Sequence, residues 1–350
     1  MELTLEERVA ALERKLLARE AAEEPTEYYT SKYSGEEIDA LLDNESLAKR
    51  NIAIRRNLLD NWYFAGGGSQ QGGGQFPINQ RGETSHAGSG GFIDRWKLSG
   101  EGTATLGSDG ITLTATTGNL EFMQFLGIPN DRLLGETVCL SGLVDGDLLS
   151  MSTSAPEEKP SAWTNIINII KPFGFVQFNY DNTADRFFCS VIVSAGNSVL
   201  LQASKLELGS TQTLAYQDEE SNWKLFETPD YAGELARCQR YLLVLPGFNT
   251  LFSNIGVGSF FSETEAEITI PTPTTMRIMP TCASTGNWLL RGGGQLINVE
   301  AGASNFFVQQ MSSNAVSMVI NGLSGCPANQ ATQLLRSNNS TAKITLSAEL

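Results

Sequence analysis

The chain has 350 residues, of which 41% are apolar and 18% charged, and its formal net charge is −15. This length predicts two or three folded units, and the composition excludes a largely disordered chain. The negative charge without any Lys/Arg run argues against nucleic-acid binding, and no apolar run reaches the ~18 residues of a membrane span.

Residues 1–24 predict an amphipathic helix. Leu5, Val9, Leu12 and Leu16 follow one another at heptad spacing, which is typical of a coiled coil. We predict that these four side chains trimerise the chain; a helix lying on a domain surface is the alternative. Two heptads are marginal alone, so contacts further along the chain are expected to help hold the homotrimer.

Residues 25–57 predict a collar or linker segment with a second short helix. Ser34 precedes Glu36 and Glu37, which is the pattern of an N-cap followed by an acidic first turn. A Gly-rich loop follows, and it lacks the Gly-Lys-Ser/Thr ending of a phosphate-binding loop.

Residues 58–230 change to the alternating pattern of strands. TATLGSDGITLTATTG predicts two strands around a Ser-Asp-Gly turn, and ETVCLSGLV, FGFVQFNY, RFFCSVIVS and VLLQASKLELG predict further strands. Short strands without long intervening helices predict an antiparallel β-sandwich. A connecting helix is predicted over 231–245, and a second β-sandwich over 246–350.

The five cysteines are widely spaced and include no CxxC pair. An odd, scattered set argues against a disulfide framework and against a zinc site, so we predict buried free thiols. The N-terminus has no signal-peptide core. We therefore expect synthesis in a reducing cytoplasm.

The single histidine, His86, lies in a Gly/Ser-rich loop, and no G-x-S-x-G elbow accompanies it. We predict no catalytic residue, no metal ligand and no cofactor. Two alternatives stay open: a calcium site at Asp145 and Asp147, which a turn explains equally well, and an unidentified carboxylate pair for glycoside cleavage.

Aromatic and amide side chains in the last hundred residues suggest a sugar-binding site, because an apolar ring packs on a pyranose face while amides bond its hydroxyls. The candidate residues are Trp288, Asn287, Phe306, Asn305 and Gln309. A core position is the competing interpretation for each aromatic. Consecutive Phe306 and Phe307 are expected to point to opposite faces of one strand.

Four segments in order, INQRG (78–82), FIDRWKL (92–98), LGETVCLSGLV (134–144) and LLQASKLELGSTQT (200–213), closely resemble a module of bacteriophage and prophage tail fibres. The upstream YYTSKYSGEEIDALL and the downstream PDYAGELARCQRYL resemble the segments that flank it, so the resemblance covers roughly residues 28–245. The chain departs from that module in its Gly-rich insert at 66–74 and in Phe92, where tyrosine is more typical. The last hundred residues carry no matching motif.

The resemblance implies a jelly-roll-like β-sandwich, a homotrimeric fibre and a role in host attachment. A strand through FIDRW would put Asp94 and Trp96 on one face and Arg95 on the other, where an Arg–carboxylate clamp would lock the strand into the sandwich. This would be a structural role.

We therefore expect a mainly β, virion-borne tail-fibre or baseplate protein: a helical coiled coil followed by two antiparallel, jelly-roll-like β-sandwich domains. Its N-terminus would contact other tail or baseplate proteins, and its C-terminal head a host surface glycan, without nucleic-acid binding or membrane insertion. The alternatives are a tailspike-type enzyme that degrades surface polysaccharide and a glycan-binding module of a bacterial surface protein.

Overall fold

A computed structural model describes residues 54–66, 76–246, 251–300, 305–337 and 342–349. These residues are mainly β, with strands joined in antiparallel sheets, as the sequence predicts. The predicted helices of 1–24 and 25–57, with Leu5, Val9, Leu12 and Leu16, lie outside the described residues apart from the last four positions.

Ten strands form the first β unit, and they are β1 Ser85–Ala87, β2 Gly90–Gly91, β3 Lys97–Gly107, β4 Gly110–Phe125, β5 Thr137–Val144, β6 Asp147–Ser154, β7 Thr164–Lys171, β8 Gly174–Asp181, β9 Arg186–Val193 and β10 Ser198–Leu208. A 3₁₀ turn at Asn130–Arg132 connects β4 to β5. The predicted β3–β4 hairpin is confirmed, with Gly107 opposite Gly110.

The order in this sheet is β6-β5-β10-β4-β9-β8-β7, with β3 beside β4. The long strand β4 pairs its first half with β10 and its second half with β9. Side chains from both halves enter one apolar core, so the sheet curls over that core; its members include Leu113, Phe122, Phe178 and Leu201.

Two short strands, β11 Ala215–Gln217 and β12 Trp223–Leu225, lead to helix α1, Tyr231–Gln239. Asp230 caps this helix, because its carboxylate accepts hydrogen bonds from Ala232 N and Gly233 N. The predicted helix over 231–245 is too long at its C-terminal end. The apolar run after Arg240 instead forms a strand, because it finds a partner strand near the end of the chain.

The second β unit holds the remaining strands, β13 Leu242–Leu245, β14 Asn254–Phe260, β15 Glu265–Pro271, β16 Thr281–Thr285, β17 Asn287–Gly292, β18 Gln295–Glu300, β19 Asn305–Met311, β20 Ala315–Asn321, β21 Ala331–Arg336 and β22 Lys343–Ser347. Seven of them form a sheet of order β18-β17-β21-β14-β15-β20-β19, and the other three form β13-β22-β16. Both sheets contribute to a second core that includes Phe260, Ile268, Trp288 and Ile344.

A buried polar network joins the chain before β1, the FIDRW segment and α1. Asp60 accepts from Arg95 Nε at 3.0 Å and pairs with Arg237 Nη2 at 2.7 Å, and Arg237 also pairs with Glu234 at 2.5 Å. Trp96 Nε1 donates to the Asp60 carbonyl at 3.1 Å. We call Asp60, Arg95, Glu234 and Arg237 the junction cluster.

The FIDRW segment is a turn rather than the predicted strand. Arg95 has φ +72°, and Trp96 N donates to Ile93 O at 3.1 Å, so side chains here do not alternate between two faces. Trp96 does lie in the core, stacked on Phe122 at 4.8 Å. The clamp partner of Arg95 is Asp60, from another segment, while Asp94 accepts its hydrogen bonds from Gln80.

The two β units meet next to this network. Arg81 pairs with Glu349 at 2.7 Å, and Lys343 Nζ donates to the Arg81 carbonyl at 2.7 Å. The Arg95 guanidinium lies 3.5 Å from the centre of the Tyr241 ring. These contacts tie QRG to the end of the chain and FIDRW to Tyr241, just after α1; Arg95 N also donates to Glu349 Oε1 at 3.3 Å.

Asp94 is fully buried at this meeting point and accepts hydrogen bonds from Gln80 N at 2.9 Å and Gln80 Nε2 at 2.6 Å. Burial raises the pKa of its carboxyl to about 7, although the bonds from Gln80 lower it in part. Between pH ~4 and ~7 the folded chain therefore keeps a proton on Asp94, whereas the same carboxyl group is already deprotonated in the unfolded chain.

The contribution of Asp94 to the free energy of unfolding is therefore expected to fall as pH rises through this window, by at most about 1.4 kcal/mol per pH unit. Urea denaturation of wild type and Asp94→Asn at several pH values measures this contribution as the difference between their free energies of unfolding. The wild-type-minus-variant difference should fall between pH ~4 and ~7 and level off above. Asp109→Asn makes the same chemical change at an exposed position of the β3–β4 turn and serves as the control for the loss of one carboxyl group. A wild-type-minus-Asp94→Asn difference independent of pH would contradict the assignment.

Candidate functional site

The sequence-predicted sugar-binding residues lie on two strands of the seven-stranded sheet. Asn287 and Trp288 begin β17, and Asn305, Phe306 and Gln309 belong to β19. Four strands separate β17 from β19 in the sheet order. The structure therefore does not bring the two groups together on neighbouring strands.

Trp288 is part of the core. Its ring is 0% exposed, and its Nε1 donates to Thr285 O at 3.2 Å, so it has no face to offer a ligand. Phe306 also packs against the core, whereas Phe307 is 42% exposed, as the alternation along a strand requires. The core interpretation is correct for both predicted rings, and Phe307 is the ring that faces outward.

The predicted polar residues whose side chains are described are exposed to solvent. Asn287 is exposed at the start of β17. Gln309 is exposed at a register shift between Val308 and Gln310, where β19 bulges against β20. Asn305 opens β19 and pairs with Asn321.

The outer face of the seven-stranded sheet carries a continuous cross-strand row. Register places in it, from edge to edge, Leu296, Arg291, Gln333, Val257, Thr269, Ser317 and Gln310. A parallel row runs beside it and consists of Ala331, Ser259, Glu267, Val319 and Phe307. We call these two rows the head face.

An open groove of about 670 Å³ runs along the middle of the head face. Its floor and walls include Val257, Thr269, Arg291 and Gln333. Arg291 Nη2 donates to Gln333 Oε1 at 2.6 Å, which orients the guanidinium across the sheet. The groove thus offers an apolar surface beside fixed hydrogen-bonding groups, and none of its lining residues is acidic.

Two glycines beside Val257 allow this part of the sheet to form. A Cβ atom at Gly258 would lie 1.8 Å from the Glu267 carbonyl oxygen, so β14 approaches β15 more closely than any other residue permits. Val257 stands between these glycines and is 53% exposed. Leu296 on the same row is 65% exposed, and neither Leu296 nor Val257 is among the residues predicted from the sequence. An apolar residue between two glycines of one strand is the sequence feature that marks this face.

The other candidate chemistry has a structural explanation. The Asp145–Gly146 turn has positive φ at both positions, and Asp145 Oδ1 accepts from Leu200 N at 2.8 Å, as expected of a hairpin turn. His86 lies in strand β1, opposite Ala104 of β3, rather than in the predicted loop, and its Nδ1 is 2.8 Å from Glu83 Oε2. Among the described residues, no group of three or more His, Cys, Asp or Glu is arranged to hold a metal ion.

The five cysteines are free thiols, and four of them are buried as predicted, whereas Cys282 is only half-buried. None of the helices in the described part is long and apolar enough to cross a membrane.

No protein-family model matches this chain, and a search of curated proteins finds no significant match.

Proposed function

We propose that this protein is a bacteriophage or prophage tail-fibre or baseplate receptor-binding protein that attaches the particle to a host surface glycan through the head face. The observation that carries the proposal is the groove, in which exposed Val257 lies on one cross-strand row with Arg291 and Gln333. Apolar surface beside convergent hydrogen-bonding groups is the chemistry that recognises sugars.

The order of segments supports the same proposal. The motif series of residues 78–213 resembles the tail-fibre module, and QRG and FIDRW are the segments that tie the first β unit to the second. In this proposal the first unit is a jelly-roll-like sandwich that carries a second sandwich as a distal head.

The chain is proposed to act as a homotrimer in the virion. Leu5, Val9, Leu12 and Leu16 would form the coiled coil, and the N-terminus would contact other tail or baseplate proteins. Three heads on one fibre multiply a weak single-site affinity through avidity, so a shallow groove is sufficient.

The tailspike-type enzyme receives no support from the groove. Glycoside hydrolysis generally needs two carboxyl groups flanking the scissile bond, and the groove lining contains neither Asp nor Glu. Release of reducing sugar from a host polysaccharide by the purified protein would contradict the proposal.

Head-face variants test the proposal. Val257→Ala and Arg291→Ala are each expected to weaken binding of the full-length protein to a panel of immobilised microbial surface polysaccharides by about tenfold or more, because each removes a contact worth at least about 1.4 kcal/mol. Both positions are exposed, so folding should change by no more than about 0.5 kcal/mol.

Phe261→Ala is the matched control, because this ring is 71% exposed but follows β14 outside the head face. Its binding should equal that of the wild type. Light scattering should give the same assembly mass for all four proteins, close to three times the 37.9 kDa chain. Unchanged binding by both head-face variants would refute the proposed site.

A further inference from the structure

The first β unit has a second side-chain array, on the face of β7, β8, β9 and β4 that points away from its core. The core-facing side chains of these strands include Ile169, Val176, Val191 and Phe122. On the opposite face, register gives three rows, which are Ile170–Phe175–Ile192–Glu121, then Asn168–Gln177–Ser190–Met123, then Asn165–Asn179–Phe188–Phe125. We call these three rows the amide face.

Four amide side chains on this face form an unbroken hydrogen-bonded chain. Asn165 Nδ2 donates to Asn179 Oδ1 at 2.7 Å, Asn179 Nδ2 to Gln177 Oε1 at 3.3 Å, and Gln177 Nε2 to Asn168 Oδ1 at 2.9 Å. The two inner amides are buried and the two outer ones reach the surface. The chain therefore holds each amide in one orientation.

The two ends of the amide chain remain available. Within the described residues, neither Asn168 Nδ2 nor Asn165 Oδ1 has a hydrogen-bond partner. One is a donor and the other an acceptor, and both belong to the edge strand β7. Both atoms are therefore free to bond a ligand or water.

An apolar strip lies directly beside the amides. Ile170 is 70% exposed and stands opposite the half-buried Phe175, which in turn stands opposite Ile192. Successive rows on one face are about 6.7 Å apart along the strands, so one small ring can touch both rows. Ile170 therefore continues a cross-strand apolar strip with Phe175 and Ile192 instead of standing alone in a polar row, and contiguous apolar patches are the ones that mark binding surfaces.

The charges on this face nearly cancel. Its acid is Glu121, and the neighbouring Lys97, opposite Met123, is its cation, with Nζ 4.4 Å from the centre of the Phe125 ring. Burial raises the pKa of Glu121 and lowers that of Lys97, so both charged forms are disfavoured. The groups free to contact a ligand here, the end amides Asn165 and Asn168 and the apolar side chains of Ile170, Phe175 and Ile192, carry no charge, which suits an uncharged ligand.

We propose that the amide face is a second glycan-binding site, specific for neutral hexopyranose chains, and distinct from the head face. The apolar strip of Ile170, Phe175 and Ile192 would take the C–H face of a sugar ring. Asn168 Nδ2 would donate to a hydroxyl oxygen, and Asn165 Oδ1 would accept from a hydroxyl. A fibre with two sugar sites per chain would hold one polysaccharide at two points.

The test uses full-length protein on an array of neutral glucose, galactose, mannose and N-acetylglucosamine oligosaccharides, with anionic polysaccharides alongside. Asn168→Asp keeps an oxygen that accepts from Gln177, removes the outward donor and adds one negative charge. Phe175→Ala removes part of the apolar strip. Each variant is expected to lose about tenfold or more of the binding to neutral oligosaccharides, while binding that depends on Arg291 is unchanged.

Asn119→Asp is the matched control for charge, because Asn119 Oδ1 also accepts a hydrogen bond, from Ala195 N, and lies outside the three rows. It should bind like the wild type. Absence of any neutral-oligosaccharide binding by the wild type, or equal binding by both variants, would overturn the proposal. A changed assembly mass of either variant would overturn it as well, by assigning this face to a second copy of the chain. Binding by the head-face variants Val257→Ala and Arg291→Ala tests the proposed function independently of the amide face.

Discussion

Asp60→Ala is expected to lower the free energy of unfolding by about 3–5 kcal/mol, because it leaves two guanidinium groups without their shared buried carboxylate. Arg95 and Arg237 both pair with this one side chain, at 3.0 and 2.7 Å. Urea denaturation followed by tryptophan fluorescence measures the loss as a lower midpoint.

The matched control is Lys159→Ala. Lys159 also pairs with an aspartate, Asp185, at 2.7 Å, but both side chains are about half exposed. Solvent screens such a pair, so the expected loss is about 0–1 kcal/mol. A loss below 1 kcal/mol for Asp60→Ala would show that the junction cluster does not stabilise the fold.

Trp288→Ala is expected to cost about 3–5 kcal/mol, because it empties the centre of the second core. The residue is fully buried and its indole N–H is bonded to Thr285 O. Glycan binding per folded molecule should not change, since the ring never contacts solvent. Denaturation and the polysaccharide panel together separate these two effects.

Trp163→Ala provides the comparison with the same chemical change at a 54% exposed position just before β7. Its expected effect on stability is within about 0.5 kcal/mol. Equal losses for the two tryptophan variants would contradict the placement of Trp288 in the core.

Several strands are predictable because their local patterns are strong. The β3–β4 hairpin has alternating threonines and apolar residues on both sides of a Ser-Asp-Gly turn, so its register follows from the turn. Strand β14 is not predictable in this way. Its sequence NIGVGSF is broken by two glycines, and only the close approach of β15 explains why they belong in a strand.

In the candidate site, too, some features follow from the local sequence pattern and others only from the packing of the strands. Alternation predicts that Phe306 and Phe307 face opposite ways, but not which of them is buried, because either choice satisfies the period of two. The sequence predicts Asn287 and Gln309 as members of one sugar-binding site, because both lie close to aromatic residues along the chain. Four intervening strands separate their strands in the sheet order.

The sequence by itself determined that the chain is β-rich and antiparallel, that its cysteines are free, and that a hairpin forms around the Ser-Asp-Gly turn. These features depend on local periodicity, turn residues and spacing, which a short segment encodes completely. Only the tertiary structure decided that Arg95 pairs with Asp60, that Val257 and Arg291 share one row, and that four amides from two strands form a chain. Such relations depend on which strands become neighbours, and that is settled by packing of the whole core.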